Sequence, residues 1–556
     1  MNRRQFLRFN TAAAAAPPTE GLRVTRRTNT GIDPYTSSWN IDDKLHLLRR
    51  ATFGPSQADF KAFESLTLEQ MVDKLLDTSA VKIDPPINNY GNNINDPNVA
   101  YGETWVNAPF TLELEFARKM SMKAWMWSLA ANQTPTIYEK MLLFWHNHFA
   151  VEMTAVPIAS AYYYYYKVLM DYGMGNFKTF TRQITVDPAM LYYLNGRLNR
   201  KNAPDENYAR ELQELFTLGK GPDSAYTEDD VKAAARVLTG FNINLQSTPV
   251  TSIFQGARHD STDKVFSSFY GNAVIKGRTG INAGMDELND LLDMIFQKEE
   301  VSKFICRRLY RFFVYYKIDD NAESQVITPL AKIFRDNNYE IKPVLKALFM
   351  SEHFFDSWNR ACVIKDPLTH SAGFVRQFQI DFPKKTDYEL SYKAYSFHAG
   401  YTAINQMDLG DPPSVAGWEA WYQLPLYHRS WITSDSLPKR NELQDYLLWI
   451  GHKIGTYTMK VDVWKMTKGF AKPKDADALI EDACHFLLPM VLSAQQTADL
   501  KEILLPGGIP DYNWTDEYNA AVDTTYPNHK TALDSVTLKL AYLYKRIMNL
   551  SEYQLS

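Results

Sequence analysis

The chain is short of cysteine, of long apolar runs and of excess charge of either sign. Three cysteines, Cys306, Cys362 and Cys484, allow at most one intramolecular disulfide, so the fold is not a disulfide scaffold. No CxxC pair or zinc-ribbon spacing occurs. Cys306, within Phe304-Ile305-Cys306-Arg307-Arg308-Leu309, reads as a buried thiol on a helix. No stretch approaches the roughly 20 apolar residues that span a bilayer, so no transmembrane segment is expected. Lys+Arg number 60 against 64 Asp+Glu, a formal net charge of -4. That balance supplies no basic face for nucleic acid and no acidic tail.

What is present is an ordinary folded composition, 45% hydrophobic and 22% charged over 556 residues, long enough for a large core and more than one lobe. Aromatic residues reach 13%, with 33 tyrosines; these suit carbohydrate or protein contact as well as burial. Near the start, Asn2-Arg3-Arg4-Gln5-Phe6-Leu7-Arg8 resembles a twin-arginine export motif. The alanines Ala12 to Ala16 that follow are fewer than the usual 7–15 apolar residues of a signal. Residues 1–40 are therefore either an export segment, which would place the protein in the periplasm or on the cell surface, or a disordered basic tail.

Helical periodicity begins at Ile41. Gly54-Pro55 stops the first helix, and Ser56 with Asp59 can cap the next. Leu66–Leu76, 110–132, 136–149 and Asn176–Tyr193 are helical, the last broken at Asp187-Pro188. Thr227 and Asp230 have capping-box spacing, and Gly240 can close the helix they open. Residues 80–108, 242–284 and 408–432 lose the period and read as long loops, the middle one a candidate small β insertion. Helices resume at Met285–Phe296, Val301–Tyr315, Ile327–Phe334 and Ile341–Phe349. The expected fold is mainly α, a large multi-helix globular structure with long irregular loops: a main helical domain over 41–440 and a C-terminal helical region over 441–556 packed on it.

Chemistry-bearing residues concentrate in Phe144-Trp145-His146-Asn147-His148-Phe149, in Asn207-Tyr208-Ala209-Arg210-Glu211-Leu212-Gln213-Glu214-Leu215, and in His259-Asp260. With Leu47-Leu48-Arg49-Arg50-Ala51-Thr52-Phe53-Gly54, Tyr226 to Val231, Leu238-Thr239-Gly240-Phe241, Pro412 to Trp418 and Leu550 to Gln554, they resemble the bacterial domain-of-unknown-function family eighteen hundred over nearly the whole chain. The resemblance implies an exported, mostly helical protein, often encoded beside a sulfatase-like family, and no established reaction.

On a helical wheel Glu211 falls between Leu215 and Leu218 and should point inward, where a carboxylate needs a cation, a metal or a hydrogen-bond network. An arginine such as Arg236 or Arg49 would serve equally well as a structural brace. Arg210 and Glu214 should form a surface ion pair. His146 and His148 lie about 200° apart on a continuous helix but share a face on an extended segment. If the helix runs on, His148 is placed to meet Glu152; alternatively both rings hydrogen-bond carbonyls in an aromatic core. His259-Asp260 is either a metal-binding loop or a turn with a solvated carboxylate.

Taken together, His146, His148, Glu211 and His259 are candidate ligands for a divalent metal, zinc or iron, with Glu211, Asn207, Arg210 and Asp260 as catalytic or supporting groups. The function this points to is a metal-dependent hydrolase acting on an extracellular polymer such as a glycan. The rival is a non-catalytic cell-envelope scaffold, its polar motifs locking helices and its aromatic surface binding polysaccharide or a sulfatase-like protein. The loop Asp408 to Trp421 is either a sugar-stacking cleft or a rigid lid on the core.

Overall fold

The structure is a computed structural model and describes residues 28–556. The export-like motif around Arg3 and Arg4 lies outside the described residues. Helices dominate, and three two-stranded antiparallel sheets are the only strands with partners in sheets among the described residues. One continuous apolar core runs from Leu45 to Tyr553.

Local chemistry sets the helix starts. Asn40 caps Ile41–Ala51, Ser56 caps Gln57–Phe63, and Thr67 caps Leu68–Leu76, each in a reciprocal capping box with the residue three positions on. Thr227 and Asp230 do the same for Glu228–Val237, and Gly240 follows at φ +93°, a conformation that favours glycine. Asp187 caps Pro188–Tyr193 through the N–H groups of Ala189 and Met190, which explains the break in the helical run there.

The region 242–284 holds two short hairpins, Phe241–Asn244 with Thr251–Phe254 and Lys264–Val265 with Val274–Ile275. A third hairpin, His452–Ile454 with Tyr457–Met459, interrupts the stretch after 441 that sequence periodicity left as helix. Gly455, at φ +58°, makes its turn. Two strands of three residues are too short to impose a period of two on the pattern.

The run Tyr162–Tyr166 lies on the helix Ala159–Tyr172. It covers every side of the helix Ala159–Tyr172, yet Tyr162, Tyr163, Tyr165 and Tyr166 are all buried. Tyr164 is half-buried and donates its hydroxyl to Asn107 at 2.6 Å. The helix is enclosed on nearly all sides, and the hydroxyls of Tyr162 and Tyr165 donate to main-chain carbonyls, which offsets the cost of burying those two phenols.

Candidate functional site

The helix Tyr138–His148 continues to His148, so its two histidines point to different neighbourhoods. His146 Nδ1 donates to the Tyr165 hydroxyl oxygen at 3.2 Å, because that hydroxyl already donates to the Phe149 carbonyl at 2.7 Å. Its Nε2 is then an unprotonated lone pair, buried and without a hydrogen-bond partner among the described residues. Trp418, Tyr162 and Tyr166 stand edge-on around the ring, and burial lowers its pKa to about 3. His148 Nε2 donates to the Phe216 carbonyl at 3.1 Å, leaving Nδ1 as a second buried lone pair without a partner among the described residues. Burial, reinforced by the positive charge of Arg308, drives its pKa well below the ordinary imidazole value.

Arg308, on Glu299–Phe313, is itself buried, and burial lowers it to about 10. Sequence periodicity did not single it out, since an arginine on an amphipathic helix is normally a surface residue.

Between the histidines, Asn147 reaches the Pro412–Trp418 loop, its Oδ1 accepting the Trp418 N–H at 2.8 Å. That loop is held at further points. Gly410 O accepts from Met153 N and from the Tyr162 hydroxyl, Asp411 accepts from Thr154, and Lys123 bridges Asp408 and Asp411 at 2.6 Å each. Trp418 is 1% exposed, so this stretch is a lid fixed to the core, not an open stacking platform.

Glu211 ends the α-helical turn Asn207–Glu211, and the chain then widens into a π-helix over Leu212–Thr217. A π-turn rotates less per residue than an α-turn, so residues four apart leave register. Arg210 accordingly pairs with Glu206 at 3.1 Å and Glu228 at 2.7 Å, while Glu214 pairs with Lys220 at 3.1 Å. The expected Arg210–Glu214 pair is absent among the described residues. Glu211 is half-buried and has no ion pair there; burial and the nearby Glu214 raise its carboxyl above the ordinary range. Arg236 and Arg49, the two proposed braces, are engaged elsewhere. Asn207 is exposed, its N–H donating to Asp205 at 2.9 Å.

His259 and Asp260 belong to a separate network. His259 Nδ1 donates to the Thr239 carbonyl at 2.8 Å, and Nε2 meets Glu287 at 3.0 Å. Both nitrogens therefore face acceptors. Glu287, wholly buried on Ala283–Phe296, also binds Lys264 Nζ at 2.5 Å and the Arg278 N–H at 2.6 Å. Burial opposes its ionisation, but the hydrogen bonds from His259, Lys264 and Arg278 outweigh that and lower its pKa. Asp260 pairs with Arg236 at 2.7 Å and accepts from Thr262; these bonds overcome burial and hold its carboxyl well below the usual range. Glu287 and Lys264 lie in positions that a single sequence does not distinguish from ordinary surface charges.

The three motifs thus have separate neighbours. Among the described residues no group of three or more His, Cys, Asp or Glu side chains is arranged to hold a metal ion. No helix there is long and apolar enough to cross a membrane. The three cysteines are free.

A ligand-sized cavity of about 650 Å³ lies elsewhere, between Ile41–Ala51 and Gln57–Phe63 on one side and residues 465–486 on the other. Phe60 and Phe470 line it, half-buried, beside the amides of Gln57 and Gln379. Gln57 donates to Met466 O at 2.9 Å, and Gln379 donates to Gln57 at 3.2 Å. Lys465 donates to Gln379 O at 2.8 Å and pairs with Asp381 at 2.7 Å. Asp482 also lines the cavity, its carboxyl raised by burial. Gly469 sits against Gln57 so closely that a Cβ there would lie 1.9 Å from the amide oxygen.

A multi-helix fold with buried histidine, asparagine and acidic motifs, capped by a Pro/Gly/Trp lid, defines the class. Residues 46–555 match the family described as protein of unknown function (DUF1800), and the chain belongs to that family. No curated protein and no solved structure matches it.

Proposed function

We propose that the protein is a non-catalytic binding protein of the cell envelope, exported by way of its N-terminal segment, with the cavity between Gln57–Phe63 and residues 465–486 as a polysaccharide site. The observation that carries this reading is a cavity of about 650 Å³ that combines half-buried Phe60 and Phe470 with the amides of Gln57 and Gln379 and the carboxyl of Asp482. Aromatic faces for sugar rings and convergent amide and acid groups for hydroxyls are the chemistry of a glycan site. Asn147, His259, Asp260 and Arg210 do not line this cavity. Calorimetric titration with soluble bacterial polysaccharides tests it. Binding that weakens at least tenfold in both Phe60→Ala and Phe470→Ala, with folding intact, is expected. Equal affinity in both variants removes the reading.

A second reading, a metal-dependent hydrolase, is favoured by two observations. Glu211 is half-buried without an ion pair among the described residues, and His146 and His148 each hold one buried lone pair, fixed by a hydrogen bond at the other nitrogen. Zinc or iron held by His146, His148, Glu211 and His259, with Glu211 as ligand or general base, requires these groups to leave the separate surroundings they occupy here. Metal analysis of the purified protein decides between the readings. A stoichiometric metal lost in folded His146→Ala and Glu211→Ala variants favours the hydrolase; metal-free protein favours the binding protein. A sulfatase-like partner belongs to the first reading and is tested by co-purification.

A further inference from the structure

The helix Glu299–Phe313 turns one face toward the helix Tyr138–His148 and the lid. On that face Phe304 lies 6.3 Å from the His148 ring, and Phe312 lies 5.3 Å from Phe144 and 5.5 Å from Trp421. Arg308 stands one turn from each phenylalanine, between these contacts. It is therefore placed where its own helix, the histidine helix and the Trp421 end of the lid come together.

Arg308 is 9% exposed, yet among the described residues it has no hydrogen bond, no ion pair and no ring beneath it. Polar atoms sealed from solvent without a partner there include Arg49 Nε and Arg440 Nε, but no nitrogen of Arg308. Its guanidinium thus keeps an edge on solvent at the bottom of a narrow opening. Arg311, three residues on and half-buried, is similar in part. Its Nε donates to Tyr316 O at 3.3 Å and its guanidinium lies 5.9 Å from the centre of the Tyr427 ring. It too has no ion pair among the described residues.

Neighbouring carboxylates do not supply the counter-charge. The titratable groups that act on Arg308 are Arg311, which opposes its charge, and the Tyr422 phenol; no carboxylate is among them. On Arg311 the groups are Tyr427, Arg307 and Glu323, and Glu323 already pairs with Arg307 at 2.6 Å. Glu300 also pairs with Arg307. Two guanidinium groups therefore lie close together with no carboxylate of their own. Like charges repel strongly where water is scarce, and an unpaired charge is costly to bury. A guanidinium cannot relieve this by losing its proton at neutral pH. Its fork of N–H donors is matched by an oxyanion, which accepts two parallel hydrogen bonds and cancels the charge.

We propose that Arg308, with Arg311 beside it, is a binding site for an oxyanion, the carboxylate or phosphate group of a ligand entering between the helix Glu299–Phe313 and the lid. The inference does not rest on the glycan reading, since neither arginine lines the cavity of about 650 Å³.

The test uses the full chain. Crystals soaked in selenate are expected to give an anomalous peak within hydrogen-bonding reach of the Arg308 guanidinium. In solution, inorganic phosphate or glucuronate should raise Tm saturably over chloride at matched ionic strength. The stronger of the two responses tells a phosphate ligand from a carboxylate. Arg308→Met, which keeps the stem and removes the charge, should fold at least as stably in chloride and lose most of the response. A selenium peak at Arg308, or an anion response that Arg308→Met abolishes, supports the proposal; the absence of both overturns it. Should Arg308→Met fail to fold, Arg308→Lys takes its place. That variant keeps the charge without the fork and should need at least tenfold more anion for half the rise in Tm; an unchanged requirement counts as no response.

Discussion

Asn147 and Trp418, 271 positions apart in the chain, are joined by a single main-chain hydrogen bond of 2.8 Å from the Trp418 N–H to the Asn147 Oδ1. The bond is possible because residue 417 is glycine. Its φ is +91°, and a Cβ there would lie 2.2 Å from that same oxygen. Trp418 in turn packs edge-on against His146 at 5.3 Å. The lid and the histidine helix are thus fastened to each other through a backbone contact that tolerates no side chain.

Gly417→Ala should therefore destabilise the fold by about 2 kcal/mol or more, combining a strained φ with a steric clash. Asn147→Ala, which leaves a buried N–H unpaired, should cost about 1–3 kcal/mol. Urea denaturation of the two single variants and the double variant checks this. Additive losses would show that the two changes do not act through the same contact.

The buried histidines predict an acid-side loss of stability. The native pKa of His146, about 3, lies below its unfolded value of about 6.5. Its contribution is then fully present above pH 6.5 and is lost as pH falls through that value toward 3. The integrated loss is on the order of 5 kcal/mol. His146→Phe, matched to its aromatic surroundings, should flatten the stability curve between pH 6.5 and 4. An unchanged slope in that window would mean that another group carries the acid sensitivity.

Glu211 has the opposite sign. Burial and Glu214 raise its carboxyl, so the ionised form costs stability, and that cost grows as pH rises above the unfolded value of about 4.3. Glu211→Gln should be more stable than the parent at pH 7 and indistinguishable from it near pH 4, measured by thermal melts. A destabilised Glu211→Gln at pH 7 would point to an ionised carboxylate with a role in holding the helices.

At the His259 network, Glu287→Ala should cost roughly 3–5 kcal/mol, since it strands Lys264 and His259 without their shared carboxylate. Replacing Glu287 and Lys264 together with apolar residues should recover much of that loss. Chemical denaturation of the single and double variants reads the difference.

A good deal of this molecule is legible in one dimension. The capping boxes at Ser56 and Thr227, the Asp187-Pro188 break and the helix Ile341–Phe349 follow from short-range patterns, because the groups involved lie within four residues of each other. The hairpin at 452–459 was not legible, because three-residue strands leave no periodic trace. The partners of the site residues were equally hidden. Glu287, which meets His259, and Arg308, which lowers His148, look like ordinary surface charges of amphipathic helices. The π-turn after Glu211 also escaped the wheel argument, which assumes 100° per residue throughout.

From the order of residues alone come the helical class, the positions of the loops, family membership and the few short segments in which imidazole, amide and acid groups concentrate. These depend on local propensity, capping and periodicity, whose interactions span a turn or two. Which of those groups meet, which are buried and which cavity is large enough for a ligand was settled only by the tertiary structure. Burial of a polar group is stable only when a partner arrives from elsewhere in the chain, as Trp418 does for Asn147, and no local pattern encodes that arrival.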